Sequence, residues 1–119
     1  MSQVVAWMLE LDVKPGKLEQ LKTLIDEMVA GTRAAEPGAL SYEWSLSPDG
    51  SRCHIYERYA DSAAVLTHLG NFGERYAARF LDALAPTRLV VYGSPSDAAK
   101  QAMAAMQPSY MDAVAGFTR

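Results

Sequence analysis

Leu40-Ser41-Tyr42-Glu43-Trp44-Ser45-Leu46-Ser47-Pro48-Asp49-Gly50-Ser51-Arg52-Cys53-His54-Ile55-Tyr56-Glu57-Arg58-Tyr59 is the stretch on which the fold turns. On its first arm Leu40, Tyr42, Trp44 and Leu46 alternate with Ser41, Glu43 and Ser45, the period of two of a strand with one apolar face. Pro48-Asp49-Gly50 is a strong turn signal, because proline presets φ and glycine tolerates a positive one. On the second arm Cys53, Ile55, Glu57 and Tyr59 share one parity. The pattern predicts a hairpin of two strands, over residues 40–46 and 53–59.

Upstream, Pro37-Gly38 stops a helix predicted over residues 17–34. Its stripe is Leu18, Leu21, Ile25, Met28 and Val29, opposite Lys17, Glu19, Lys22, Asp26 and Glu27. Pro15-Gly16 leads into it from a strand over residues 4–13, where Val5, Trp7, Leu9, Leu11 and Val13 alternate with Val4, Ala6, Met8, Glu10 and Asp12. Downstream, Asp61 or Ser62 caps helical sequence over residues 62–84 that carries Val65, Leu66 and Leu69. Gly70 and Gly73 are expected to break it, leaving Phe72, Tyr76, Phe80 and Leu84 on a second piece. Pro86 is expected to end that piece before a strand over residues 88–92. The hairpin thus joins two strand–helix–strand units. A βαββαβ order implies an α+β, ferredoxin-like fold: a four-stranded antiparallel sheet with its helices on one face.

Beyond this unit, Ser94-Pro95-Ser96-Asp97 supplies a cap, a proline at the first helical position and an acid three places after the cap. A short helix over residues 97–106 should follow, then a tail over 108–119 whose Tyr110, Met111, Val114 and Phe117 are too apolar to stay unpacked. The expected organisation is a domain over residues 1–94, with helix and tail (95–119) packed on it or on a partner subunit.

With 119 residues, half of them hydrophobic, the chain can bury one core. A net charge of −3 and no run of Lys or Arg argue against nucleic acid or an anionic membrane as partner. Cys53 stands alone, which rules out an internal disulfide or a cysteine metal cluster and fits a reducing cytoplasm. The apolar start is too short for a signal core or a membrane span, so a soluble cytoplasmic protein is expected. If the all-apolar face of the first strand meets the helices, the other face holds Val4, Ala6, Met8, Val90 or Val91, and Tyr56 or Tyr92. That surface suits a homodimer of two sheets packed face to face. The rival arrangement folds the C-terminal helix and tail back over it.

Ile55-Tyr56-Glu57-Arg58-Tyr59-Ala60-Asp61-Ser62, followed by Leu66-Thr67-His68-Leu69, resembles the third strand and second helix of the antibiotic biosynthesis monooxygenase family. Val13-Lys14-Pro15-Gly16 and Pro37-Gly38-Ala39-Leu40-Ser41-Tyr42 are similar to the ends of its first helix, and the likeness extends over about residues 3–93. The resemblance implies a dimeric α+β barrel. It also implies one of the activities of that fold family, which includes cofactor-free quinol and polyketide oxygenases, haem-degrading enzymes and small isomerases. The haem-degrading relatives carry an asparagine on the first strand, and none stands there in this chain.

His68 matches the family histidine that often lines the cavity, and a neutral imidazole can accept a phenolic proton near pH 7. The plainer reading is a helix-surface or capping histidine. Trp7, Tyr42, Trp44 and Tyr59 are amphipathic rings near the helix-facing side of the sheet, able to line an aromatic slot or simply to fill the core. Phe72 lies beside them in sequence order, and Asn71 could donate to a developing oxyanion or serve as a turn residue between glycines. Glu57 on a buried face needs a partner: Arg88, Arg58 or a backbone amide. His54 reads as a solvated edge residue. There is no phosphate loop, metal-ligand cluster or Ser-His-Asp set, so no metal or cofactor is expected. The reading is a cofactor-independent monooxygenase on a small aromatic or quinol-type substrate, with His68 as base. Its rivals are a non-catalytic binding domain for a small hydrophobic ligand and a haem-binding or haem-degrading relative.

Overall fold

The computed structural model describes residues 3–119. Its elements run β1 (Val5–Val13), α1 (Leu18–Ala35), β2 (Ala39–Leu46), β3 (Arg52–Tyr59), α2 (Ser62–Arg75), α3 (Ala77–Ala83), β4 (Leu84–Gly93), α4 (Asp97–Met103), a 3-10 turn (Ala104–Met106) and β5 (Ser109–Met111). The sheet order is β2-β3-β1-β4-β5. The first four strands pair antiparallel, as the hairpin and the two units require. β5 departs from that expectation: it joins β4 in parallel, making a mixed five-stranded sheet. Three residues after a proline are too short to announce a strand by alternation.

The helix-facing side is the one the pattern of β1 selects. Val5, Trp7, Leu9 and Leu11 pack with Ile55, Tyr59, Leu89 and Val91, and with Leu21, Leu24 and Met28 of α1, in one cluster. Gly50, at φ +74, closes the β2–β3 turn where a side chain would be strained.

Three boundaries differ from the expectation, each for a physical reason. α2 continues through Gly70 and Gly73 to Arg75, and the chain leaves helical geometry only at Tyr76, with φ −124°. A glycine costs a helix only about 1 kcal/mol, and burial of Val65 and His68 on the inner side outweighs that. Pro86 lies inside β4 instead of ending the helix. The register slips between Glu10 and Leu11 at that point, and Thr87 Oγ1 donates to the Glu10 carbonyl at 3.0 Å, so a bulge takes up the missing ladder donor. The cap of α4 is Ser96, not Ser94: its side chain accepts from the Ala99 N–H, and Pro95 stays outside the helix.

On the open side the register aligns Met8 with Tyr56 and Val90, Ala6 with Tyr92, and Tyr92 with Met111. Both tyrosines and Val90 therefore belong to this face, and Val91 to the core. Ala99 and Met103 of α4 join the core cluster on the helix side, and β5 extends the sheet edge, so neither covers the open face. The tail is less packed than its composition predicts, with Val114 97% and Phe117 80% exposed.

Candidate active site

Three side chains from three elements meet under α2. Glu57 comes from β3, whose parity buries Cys53, Ile55, Glu57 and Tyr59 together. His68 comes from the inner side of α2, three residues after Val65. Glu36 caps the C-terminus of α1, its N–H bonded to the Thr32 carbonyl. Pro37-Gly38 then turns the chain back. A Cβ at Gly38 would come within 2.6 Å of Ala64 Cβ, so glycine is what lets this turn press against α2. That close approach carries Glu36 to His68.

The imidazole is held at both ends. Nδ1 lies 2.9 Å from Glu36 Oε1 and Nε2 lies 3.1 Å from Glu57 Oε1. Asn71 donates to Glu36 Oε2 at 3.2 Å, and the Tyr59 hydroxyl donates to Glu57 Oε1 at 2.6 Å. All three charged residues are buried. Burial alone would lower the pKa of His68. The hydrogen bond and charge of Glu57, joined by those of Glu36, outweigh it and raise it. The ring also sits among Tyr59, Tyr42 and Trp7, with centroids 5.0, 5.4 and 6.4 Å away, surroundings that favour a cation. With a glutamate oxygen within reach of each ring nitrogen, the geometry suits an imidazolium, in which both nitrogens donate. In that state the trio would carry one negative charge, and neither glutamate meets a lysine or arginine among the described residues. The contacts of His68 and Tyr59 to Glu57 both fall on Oε1. Burial, and then the charge of Glu57, push the Tyr42 and Tyr59 phenols far up, so both stay neutral donors.

A cavity of about 160 Å³ opens beside this trio. Glu57, His68 and Tyr42 form its polar end, and Trp7, Phe72 and Phe80 its aromatic wall. Of the residues singled out in the sequence, Trp7, Tyr42, Glu57, His68 and Phe72 line the cavity. Tyr59, Trp44 and Asn71 stand behind it. Tyr59 orients Glu57 and Asn71 orients Glu36, while Trp44 packs edge-on against Tyr42 and Phe80. The buried Trp44 Nε1 makes no well-formed hydrogen bond and interacts only weakly with the Tyr42 hydroxyl. Asn71 is helical, not a turn residue. Glu57 has its buried partner in His68 and Tyr59, neither Arg58 nor Arg88, and Arg88 pairs with Glu10. His54 is solvated, as expected, but β3 is an interior strand, so it stands between Ser45 and Glu10 and not at a sheet edge, with its ring 4.0 Å from the Glu10 carboxylate.

Glu36 went unread in the sequence, although a signal was there. An acid at a helix C-terminus opposes the helix dipole and needs another reason to be placed there. The tail residues Tyr110 and Phe117 are absent from the cavity lining; Ala102, Met103 and Met106 line it instead. No group of three or more His, Cys, Asp or Glu among the described residues is arranged to hold a metal ion. No helix of the described residues is long and apolar enough to cross a membrane.

Residues 4–83 match the sequence profile of the family described as antibiotic biosynthesis monooxygenase. The Mycobacterium tuberculosis protein named "Putative monooxygenase Rv0793" is 34% identical over 71 residues, which span 60% of this chain and 69% of that protein. The solved structure of Rv0793 superposes with a TM-score of 0.66 at 28% identity, covering 80% of this chain and 98% of its own. The crystal structure of MupZ from Pseudomonas fluorescens superposes with a TM-score of 0.87 at 25% identity, covering 99% of this chain and 96% of that one.

Proposed function

We propose that this chain, which belongs to the antibiotic biosynthesis monooxygenase family, oxygenates a small phenolic or quinol-type molecule without a cofactor of its own. The observation that carries the reading is the buried Glu36–His68–Glu57 trio, one positive charge short, at the polar end of an apolar cavity. A proton taken from the substrate would supply that charge. Both nitrogens of His68 are already engaged, so Glu57 Oε2 is the acceptor, and His68 holds Glu57 in place and compensates its charge. Tyr42, a neutral donor in the cavity wall, offers a hydrogen bond to the anion left behind.

The electron-rich anion then reduces O2. A carbon–oxygen bond forms at an activated C–H or CH2 carbon, and the hydroperoxide loses water to leave a carbonyl there. One oxygen atom ends in the product and one in water, and the carbon supplies the electrons. The cavity contributes dryness, which strengthens the electrostatics and protects the anion from reprotonation.

The same proposal includes a homodimer through the open sheet face, where Tyr92 and Met111 stand exposed beside Met8 and no helix among the described residues covers them. Two copies related by a two-fold would bury that face. Single-turnover oxygen uptake with hydroquinones and anthrones tests the chemistry. Wild type should consume oxygen with product formation, and Glu57→Gln should slow this by roughly 10²–10⁴-fold. Equal rates would remove Glu57 from the reaction.

A further inference from the structure

The family match ends at residue 83, yet the cavity does not. Its outer wall includes Ala102 and Met103 of α4 and Met106 of the 3-10 turn, beside Leu81 and Pro86. This later segment is fastened at its start and at its exit. The Ser96 N–H donates to Ser62 Oγ at 2.9 Å, joining the start of α4 to the start of α2. Met103 is 3% exposed and Ala99 fully buried, so the inner side of α4 is part of the core. After Met106 the chain reverses through Gln107, at φ 50°, and returns to the sheet as β5, where Lys100 Nζ lies 5.3 Å from the Tyr110 ring centre. Met106 itself is 38% exposed and stands at the border between cavity and solvent.

We propose that this wall selects the substrate: the ligand is an amphiphile, with an ionisable hydroxyl on a ring at Glu57 and an unbranched alkyl substituent that leaves the cavity past Met103 and Met106. The position of the head rests on the reading of Glu57 above, while the alkyl preference rests on the wall alone. Two observations point to the chain. First, about 160 Å³ is close to the roughly 150 Å³ that encloses a benzene ring, so a ring fills the body and any substituent must use the mouth. Second, Ala102, Met103, Met106, Leu81 and Pro86 present no side-chain hydrogen-bond partner. A polar substituent there would lose its water without replacement. Thioethers with three rotatable bonds follow a flexible chain better than a rigid ring.

The test is direct binding of phenol and a series of 4-alkylphenols, from methyl to hexyl, to the full chain and to Met106→Ser. The replaced side chain is partly exposed, and thermal melting checks that the variant is folded. In wild type, affinity should rise roughly threefold to fourfold per methylene until the chain clears Met106. In Met106→Ser the gain for the longer chains should fall about five- to tenfold, with phenol itself within twofold of wild type. A flat series, or an identical series in the variant, would overturn the alkyl wall. The alkyl gain persisting while Glu57→Gln leaves oxygen uptake unchanged would overturn the reading of Glu57 and leave the wall standing.

Discussion

Replacing His68 by glutamine removes the one positive charge from the buried trio and leaves Glu36 and Glu57 facing each other without it. The side chains of His68 and both glutamates are only 5–6% exposed, so water cannot take over the role. Breaking a buried pair by removing one partner costs about 3–5 kcal/mol. That is a large share of the roughly 5–15 kcal/mol that holds a domain folded. For a chain of this size the melting temperature should fall on the order of 10–20 °C. Adding Glu36→Gln to the variant removes one stranded carboxylate and should recover much of the loss, a coupling that independent sites would not show. The pH dependence has a definite sign. His68 titrates above its ordinary 6.5 in the fold, so its stabilisation is complete below about pH 6.5 and is lost as the pH rises through the folded value. The gap between wild type and variant should therefore be full near pH 6 and narrow as the pH rises through the folded value. Urea unfolding across pH 4.5–9, fitted for wild type, single and double variants, measures all of this. A loss below about 1 kcal/mol at pH 6, or no recovery in the double variant, would refute the charge reasoning.

Gly38→Ala should destabilise by about 1–3 kcal/mol, because the new methyl meets Ala64 Cβ at 2.6 Å; Ala64→Gly in the same chain should restore stability in the same unfolding assay. Cys53 is fully buried, and burial pushes its thiol up to about 11. It should resist a disulfide reagent at pH 8 until denaturant is added, and rapid labelling of the native protein would contradict its placement.

The sheet was legible because its signals are periodic and redundant. β1 alternates over nine residues, and the β2–β3 turn carries both proline and a glycine at positive φ. The glycines of α2 misled because local propensity is worth less than the burial of His68 and Val65 on that helix. β5 could not be seen, since a three-residue strand gains its identity from the edge of β4. At the site, the position of the aromatic layer followed from residue type and strand parity, and attention to His68 from its likeness to the family histidine. Partners were not: the tie between Glu36 and His68 spans thirty-two positions and depends on how closely Gly38 lets α1 approach α2. The cavity wall on α4 escaped for a similar reason, as alanines and methionines announce an apolar surface without saying what it faces.

The protonation of His68 can be read directly from the 15N chemical shifts of its two ring nitrogens at pH 7.5, in the ligand-free protein. An imidazolium clamped between Glu36 and Glu57 predicts that both nitrogens carry a proton, with the signal lost in His68→Gln. One protonated and one bare nitrogen at that pH would contradict it, and would return the role of base from Glu57 to the histidine.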